Sequence, residues 1–130
     1  MILNITVPEH KPAVLAGTKI HSMREDKHNR WKVGMTIHFS TGARTKNYNQ
    51  FSQGKCLGLQ KVGLYQGSVG IMVLVDGRQL LGKEILEVAR NDGYADIASW
   101  MRFFVPEIPE DPNDMNQWTG KIIHWTDKLY

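Results

Sequence analysis

The sequence predicts a single α+β domain, residues 1–130, in which several short strands form a small β-barrel that carries a few helices. Two observations lead to this prediction. The chain has 130 residues, the length of one domain, and its 42% hydrophobic and 22% charged residues are typical of a globular protein with a core. Segments in which apolar and polar residues alternate also outnumber segments with helical spacing. A plain α+β sheet fits the same order of elements, so both architectures stay open.

The strands are predicted from segments in which apolar and polar residues alternate and from one apolar run. They are residues 2–7, 19–24, 36–40, 55–65, 70–75 and 119–126. The apolar run, residues 71–75, is expected to be buried on both faces. Residues 25–32 are rich in charge and are predicted to be a connection.

Three helices are predicted from helical spacing of apolar residues or from the residues that begin and end a helix. They are a short helix from Pro8 and Glu9 to about Ala16, a helix at residues 82–91, and a helix that begins at about Ala95. Gly17 and Gly93 are suited to end the first two helices. Residues 106–112 contain three prolines and are predicted to be an extended surface loop.

Charge is unevenly distributed along the chain. Residues 1–61 hold ten of the sixteen Lys and Arg residues and three acids, a net charge of +7. Residues 62–130 hold six basic and ten acidic residues, a net charge of −4. This asymmetry favours an anionic or electron-rich partner such as RNA, DNA or a nucleotide. Halves of a sequence are not always halves of a structure, so a mixed surface is the alternative.

Several classes of protein and site are excluded or disfavoured by what the sequence lacks. The single cysteine, Cys56, cannot form an intrachain disulfide or a cysteine-based zinc site, and it is expected to be a small core residue. The five histidines show no metal-binding spacing, so neither a metal nor a cofactor is predicted. No apolar stretch approaches the roughly 20 residues that cross a bilayer, and no leader is recognisable, so we expect a cytoplasmic protein without membrane contact.

Three segments together resemble the ASCH domain family, whose fold is similar to the PUA barrel of RNA-modifying proteins. Residues 16–24, Ala-Gly-Thr-Lys-Ile-His-Ser-Met-Arg, contain a Gly, a Lys, a Ser and an Arg in the spacing of the family's entry motif. Residues 30–34, Arg-Trp-Lys-Val-Gly, resemble the turn before the next strand. Residues 84–94 are similar to the family's helix and acidic-Gly-aromatic turn, with Trp100 on a second helix. The resemblance spans residues 13–105 and implies a PUA-like barrel.

This resemblance also implies an activity. Some bacterial ASCH proteins are amidohydrolases that release the acyl group of N4-acetylcytidine and related nucleosides with a Lys, a Thr and a Glu. Lys19 matches the Lys, Ser22 stands where the family has Thr, and Asp92 stands where it has Glu. Arg24 matches the motif's Arg and is expected to bind substrate. Other family members bind RNA or are ribonucleases, so a non-catalytic RNA-binding module and a ribonuclease are the alternatives.

Amide hydrolysis by covalent catalysis needs an oxygen nucleophile, a base and a donor that stabilises the oxyanion. In one version, neutral Lys19 deprotonates Ser22. In the other, charged Lys19 binds the oxyanion while Asp92 moves the proton. Residues three apart on a regular strand point to opposite faces, so the two side chains converge only if Lys19 lies in the loop after Gly17. Otherwise Lys19 is a solvated lysine and Ser22 an ordinary strand residue.

The remaining candidates would bind the substrate. If residues 44–48 are extended, Arg44, Lys46 and Tyr48 share one face and combine phosphate-binding cations with a ring that stacks on a base. A solvated basic loop is the alternative. The other three candidates stand near the motif or beside turns: His21, Trp31 and Tyr94. His21 is kept for its closeness to Lys19, and the two aromatic residues are expected either to wall the cleft or to cap a core.

Overall fold

A computed structural model describes residues 1–130 and confirms the α+β class, with three helices and eight strands in two sheets. The elements are β1 (Ile2–Asn4), α1 (His10–Ala16), β2 (His21–Arg24), β3 (Thr36–Thr41), β4 (Asn49–Lys55), β5 (Gly58–Gly67), β6 (Ile71–Val75), β7 (Arg78–Gln79), α2 (Gly82–Asn91), α3 (Ile97–Phe104) and β8 (Met115–His124). The longest helix, α2, has ten residues, and none of the three has the length and apolar character needed to cross a bilayer.

The strands form two separate sheets and not the predicted closed barrel. The first sheet has the order β1-β3-β4, with β1 and β3 parallel. The second has the order β2-β8-β5-β6-β7 and is antiparallel throughout. Closure requires that every strand be hydrogen-bonded on both sides, whereas β1, β4, β2 and β7 each pair on one side only. Strand β2 pairs with β8, and His21 lies opposite His124.

Most predicted elements are present with small differences at their ends. Helix α2 has the predicted limits, and α1 ends at Gly17, whose φ of 78° is in the left-handed region that suits a C-cap. The predicted strand at residues 55–65 is wrong at its start, because Cys56 and Leu57 separate β4 from β5. Residues 106–112 contain no helix or strand, as expected for the proline-rich loop.

The run at residues 71–75 is buried on one face only. Val73 and Val75 are buried, whereas Ile71, Met72 and Leu74 are half-buried. Strand β6 lies in an antiparallel sheet with helices on one side, so its other face is not covered by a second layer. The prediction that both faces are buried is therefore wrong.

Two hydrophobic cores meet at β8. The larger core packs the five-stranded sheet against α2 and α3, with Trp100 fully buried at its centre. The smaller core lies under the three-stranded sheet and contains Cys56, as expected. Ile122 belongs to the larger core and Ile123 to the smaller one, because successive residues of a strand point to opposite faces. Each face of β8 therefore supports a different core.

Candidate active site

Lys19 and Asp92 form a buried ion pair. The Lys19 Nζ lies 2.8 Å from Asp92 Oδ1 and donates a second hydrogen bond of 2.5 Å to the Asp92 backbone oxygen. Both side chains are 2% exposed. The other carboxylate oxygen, Oδ2, accepts a hydrogen bond of 3.0 Å from Trp100 Nε1. The pair is thus desolvated and hydrogen-bonded, which is the condition under which a buried charge is tolerated.

Backbone hydrogen bonds bring the two residues together. After α1 ends at Gly17, the Lys19 N–H donates to Ala13 O at 3.1 Å, so the chain wraps around the end of the helix. The next N–H, that of Ile20, donates to Asn91 O at 2.9 Å and fastens this segment to the end of α2. Asp92 follows α2 directly as its C-cap residue. The ends of two helices therefore set the position of the ion pair.

Ser22 lines the same cavity as Lys19 and Asp92. This cavity has a volume of about 20 Å³, close to that of one water molecule. The predicted strand at residues 19–24 is wrong at its start, because β2 begins at His21. Lys19 therefore lies in the loop after Gly17, which is the condition under which it can line the same cavity as Ser22. Ser22 is 4% exposed, and the ammonium group of Lys19 donates to Asp92 instead of to the Ser22 hydroxyl.

A larger groove adjoins the small cavity. It has a volume of about 590 Å³ and shares Val7, His10 and Tyr94 with the cavity, so the two spaces are neighbours. Arg24, two residues after Ser22 on the same face of β2, also lines the small cavity and donates from Nη2 to Asn4 O at 2.7 Å. The predicted residues Arg24 and Tyr94 therefore lie beside Lys19 and Ser22.

The charges of the ion pair depend on each other. Burial lowers the pKa of Lys19, and the carboxylate of Asp92 opposes that shift. Burial alone would raise the pKa of Asp92, but the attraction of the Lys19 ammonium and the hydrogen bonds to the carboxylate hold it below its ordinary value. A neutral Lys19 would leave a buried carboxylate without a counter-charge. We therefore treat the pair as ammonium and carboxylate.

Comparisons with known proteins do not identify a family or an activity for this site. No family model, curated protein or solved structure matches the chain. Larger cavities lie elsewhere, one of about 410 Å³ beside Lys61 and Lys121 and one of about 540 Å³ beside Met101, but neither contains any of the predicted site residues.

His21 lies behind Asp92 and not in the cavity where it was expected to bind substrate. It is fully buried on the opposite face of β2 from Ser22, because adjacent strand residues face apart. Its Nδ1 lies 3.6 Å from Asp92 Oδ1, and its Nε2 is hydrogen-bonded to the Tyr130 hydroxyl at 2.7 Å. Asn91 Nδ2 donates to the same hydroxyl at 2.9 Å. These residues support the ion pair from the protein interior.

Three further predicted residues lie together, but away from Lys19. Residues 42–48 form turns, and Arg44 has a φ of 64°, so the expected extended face of Arg44, Lys46 and Tyr48 is not present. Arg44 and Tyr48 line a separate cavity of about 420 Å³, whereas Lys46 is exposed and does not line it. Glycine and short polar residues in this segment favour turns over a strand.

Trp31 was expected to wall the cleft, but it belongs to the smaller core. Its side chain is 5% exposed and packs with residues of β1 and β3. Asp26 turns the chain inward at this point, since its carboxylate accepts hydrogen bonds from the N–H groups of Arg30 and Trp31. Trp31 thus caps a core, which was the second of the two predictions for this residue.

Sequence reasoning missed His10. It is the first residue of α1, it is 5% exposed, and it lines both the small cavity and the adjoining groove. A single histidine in the first turn of a short helix carries no motif. No group of three or more His, Cys, Asp or Glu residues has an arrangement that could hold a metal ion.

The fully buried His124 makes stability depend on pH. Burial, together with nearby His21, lowers its pKa from 6.5 to about 4, so it is neutral in the folded protein. Between these pH values the unfolded chain binds a proton that the folded protein does not. We therefore expect His124 alone to lower the free energy of unfolding by about 3 kcal/mol as the pH falls from 6.5 to 4. Urea unfolding at several pH values in this window measures the loss.

The control variants are His124→Gln and His28→Gln. The first should flatten the pH dependence, and the second, which alters an exposed histidine, should leave it unchanged. A slope that stays the same in His124→Gln would contradict this assignment. His21 has its pKa lowered by burial as well, so part of the slope remains in the first variant.

Proposed function

We propose that this protein is an amidohydrolase that removes the N4-acyl group of cytidine-type nucleosides, converting N4-acetylcytidine to cytidine and acetate. One observation carries the proposal: a buried Lys19 ammonium and the Ser22 hydroxyl line the same small cavity. An oxygen nucleophile beside a desolvated donor is the arrangement that acyl transfer requires. The substrate class comes from the resemblance to the ASCH family, and a PUA-like relationship of the fold is part of the same proposal.

Lys19 serves the reaction as an oxyanion donor. Of its three N–H donors, two are directed to Asp92, which leaves one for the oxygen of the substrate carbonyl. The charge that develops on this oxygen is stabilised in a site with little water, where a single donor contributes a factor of about 100–1000 to the rate. Asp92 fixes the ammonium group in place. This arrangement supports the charged Lys19 of the second version, with Asp92 as its counter-charge and not as the group that moves the proton.

Ser22 supplies the attacking oxygen or orients the water that attacks. In the covalent route its Oγ bonds to the acyl carbon, the cytosine N4 leaves, and water then hydrolyses the ester. In the direct route a water in the cavity of about 20 Å³ attacks while Ser22 accepts or donates a hydrogen bond. Both routes give the same products.

The two neighbouring spaces suit the two parts of the substrate. The groove of about 590 Å³ lies in the size range of small-molecule sites, and it is lined by the aromatic residues His10 and Tyr94, which can contact a base. Only a small acyl group fits toward Lys19 and Ser22. A nucleoside whose acyl end points into the small cavity therefore satisfies both volumes.

The test incubates purified protein with N4-acetylcytidine and measures the release of cytidine by chromatography. We expect turnover by the wild type and a loss of roughly a hundredfold or more in kcat/KM for Ser22→Ala. A covalent acyl group on Ser22, detected by mass spectrometry, would select the covalent route. Ser40→Ala is the matched control, because the Ser40 hydroxyl is also buried but does not line the cavity.

The same assay can also contradict the proposed activity. Full turnover by Ser22→Ala, or no cytidine from the wild type, would contradict the proposal. An RNA-binding module and a ribonuclease would then be the remaining candidates. RNA binding is favoured by Arg44 and Tyr48, which line a cavity of their own that offers a cation and a stacking ring.

A further inference from the structure

His10 stands at the junction of the two spaces in which the substrate is proposed to lie. It is only 5% exposed, and it lines both the cavity of Ser22 and the adjoining groove. Its ring meets that of Tyr94 edge-on, with centroids 4.8 Å apart and planes at 84°. The ring also lies close to Gly93. The imidazole is therefore held by its neighbours beside the place where the acyl–nitrogen bond would be broken.

The ring of His10 keeps one nitrogen for a ligand. A hydrogen bond with the backbone of Gly93 engages the other nitrogen and favours the charged imidazole. Burial, and then the Lys19 ammonium, lower the pKa of His10, so its imidazole is neutral at neutral pH. A neutral imidazole has one nitrogen that donates and one that accepts. It can take a proton at one stage and give it back at the next.

The reaction needs such a group, because the ion pair does not provide it. Asp92 Oδ1 accepts from Lys19, and Oδ2 accepts from Trp100. Moving a proton to or from either member of the pair would leave a buried charge without its partner. The other titratable groups around the cavity are the guanidinium of Arg24 and the phenol of Tyr94, whose pKa is raised by burial. His10 is the remaining group, and its neutral imidazole can accept and release a proton without separating the ion pair.

We propose that His10 is a catalytic residue that carries the proton in the proposed amide hydrolysis, an inference that rests on the proposed function. As Ser22 Oγ bonds to the acyl carbon, His10 accepts the hydroxyl proton. As the C–N bond breaks, His10 gives that proton to the leaving cytosine N4. Water then supplies a proton to His10 while its oxygen attacks the ester. His10 returns this proton to Ser22 Oγ as the carboxylic acid, which ionises, is released.

The test compares two acyl donors in the wild type and in His10→Gln. N4-acetylcytidine has a leaving nitrogen that needs a proton, whereas 4-nitrophenyl acetate has a leaving group that departs without one. We expect kcat/KM of His10→Gln on the amide to be about 100–10,000-fold lower than that of the wild type. The loss of kcat/KM on the ester should be smaller than this by at least about tenfold. His38→Gln is the control, because His38 is half-buried outside the cavity.

A second variant separates proton transfer from folding. His10→Ala opens space next to the groove, and added imidazole should restore part of its turnover of the amide. Equal losses on both substrates together with no rescue would overturn the role of His10, as would an unchanged rate in His10→Gln. If the wild type acts on neither substrate, the proposed function fails and this inference fails with it.

Discussion

Replacing Lys19 with methionine is expected to lower kcat/KM on N4-acetylcytidine by a factor of about 100–1000 and to reduce the free energy of unfolding by about 3–5 kcal/mol. The first effect follows from the loss of the donor to the substrate oxygen. The second follows because the Asp92 carboxylate, 2% exposed, would remain buried without its counter-charge. Chemical denaturation and the cytidine assay measure the two effects on the same preparation.

A double-mutant cycle separates these two effects. Asp92→Asn keeps an oxygen for Trp100 Nε1 but removes the charge, so combining it with Lys19→Met removes the whole ion pair. Replacing a buried ion pair by neutral groups is often close to neutral for stability. The double variant should therefore recover much of the lost stability and remain inactive. Recovery of activity with stability would mean that Lys19 only supports the fold.

Gly93→Ala is expected to damage both the fold and the site. Gly93 has a φ of 98°, which costs an L-residue about 1–3 kcal/mol. In addition, an added Cβ would lie 2.8 Å from His10 Cδ2 and 3.2 Å from Lys19 Cδ. The first contact is closer than atoms tolerate, so the His10 ring must move, and the second is tight enough that the Lys19 side chain must also shift slightly. We therefore expect a stability loss above that of the strained backbone alone, and a loss of turnover.

Gly77→Ala is the matched control for this prediction. Gly77 also has a positive φ, 80°, but an added Cβ would have no atom within 4 Å. It should lose stability by the backbone cost alone and keep its activity. Thermal unfolding and the cytidine assay distinguish the two variants. Equal effects of the two substitutions would show that contact with His10 and Lys19 is unimportant.

Local patterns account for the parts of the fold that were predicted well. The spacing of Ile85, Val88 and Ala89 indicated helix α2, and Gly17 was predicted to end α1, as it does. The strand predicted from Lys19 begins only at His21, and the loop position of Lys19 had been left open as an alternative. Strand β4 was missed because its sequence, Asn-Gln-Phe-Ser-Gln-Gly-Lys, is polar and poor in β-branched residues. Strand β7 has only two residues and offers no pattern.

Contacts between distant segments could not be predicted from local patterns. The side chain of Tyr130 reaches His21 and Asn91, and its backbone is hydrogen-bonded to Gln60. No spacing in the sequence signals such a network. His10 joins the cavity for the same reason, since α1 must first pack beside Gly93. The predicted barrel also depended on the pairing of edge strands, which the order of elements leaves undetermined.

The pairing of β2 with β8 determines when the site comes into existence during folding. Ser22 lies opposite Ile123, a residue near the other end of the chain. Pairing at such a separation requires closure of a long loop, which carries a large entropy cost and slows folding. Lys19 and Asp92 are distant in sequence as well, and they meet only when the same tertiary contacts are complete. A chain whose two ends have not yet met has its strands and helices in part, but it has no site.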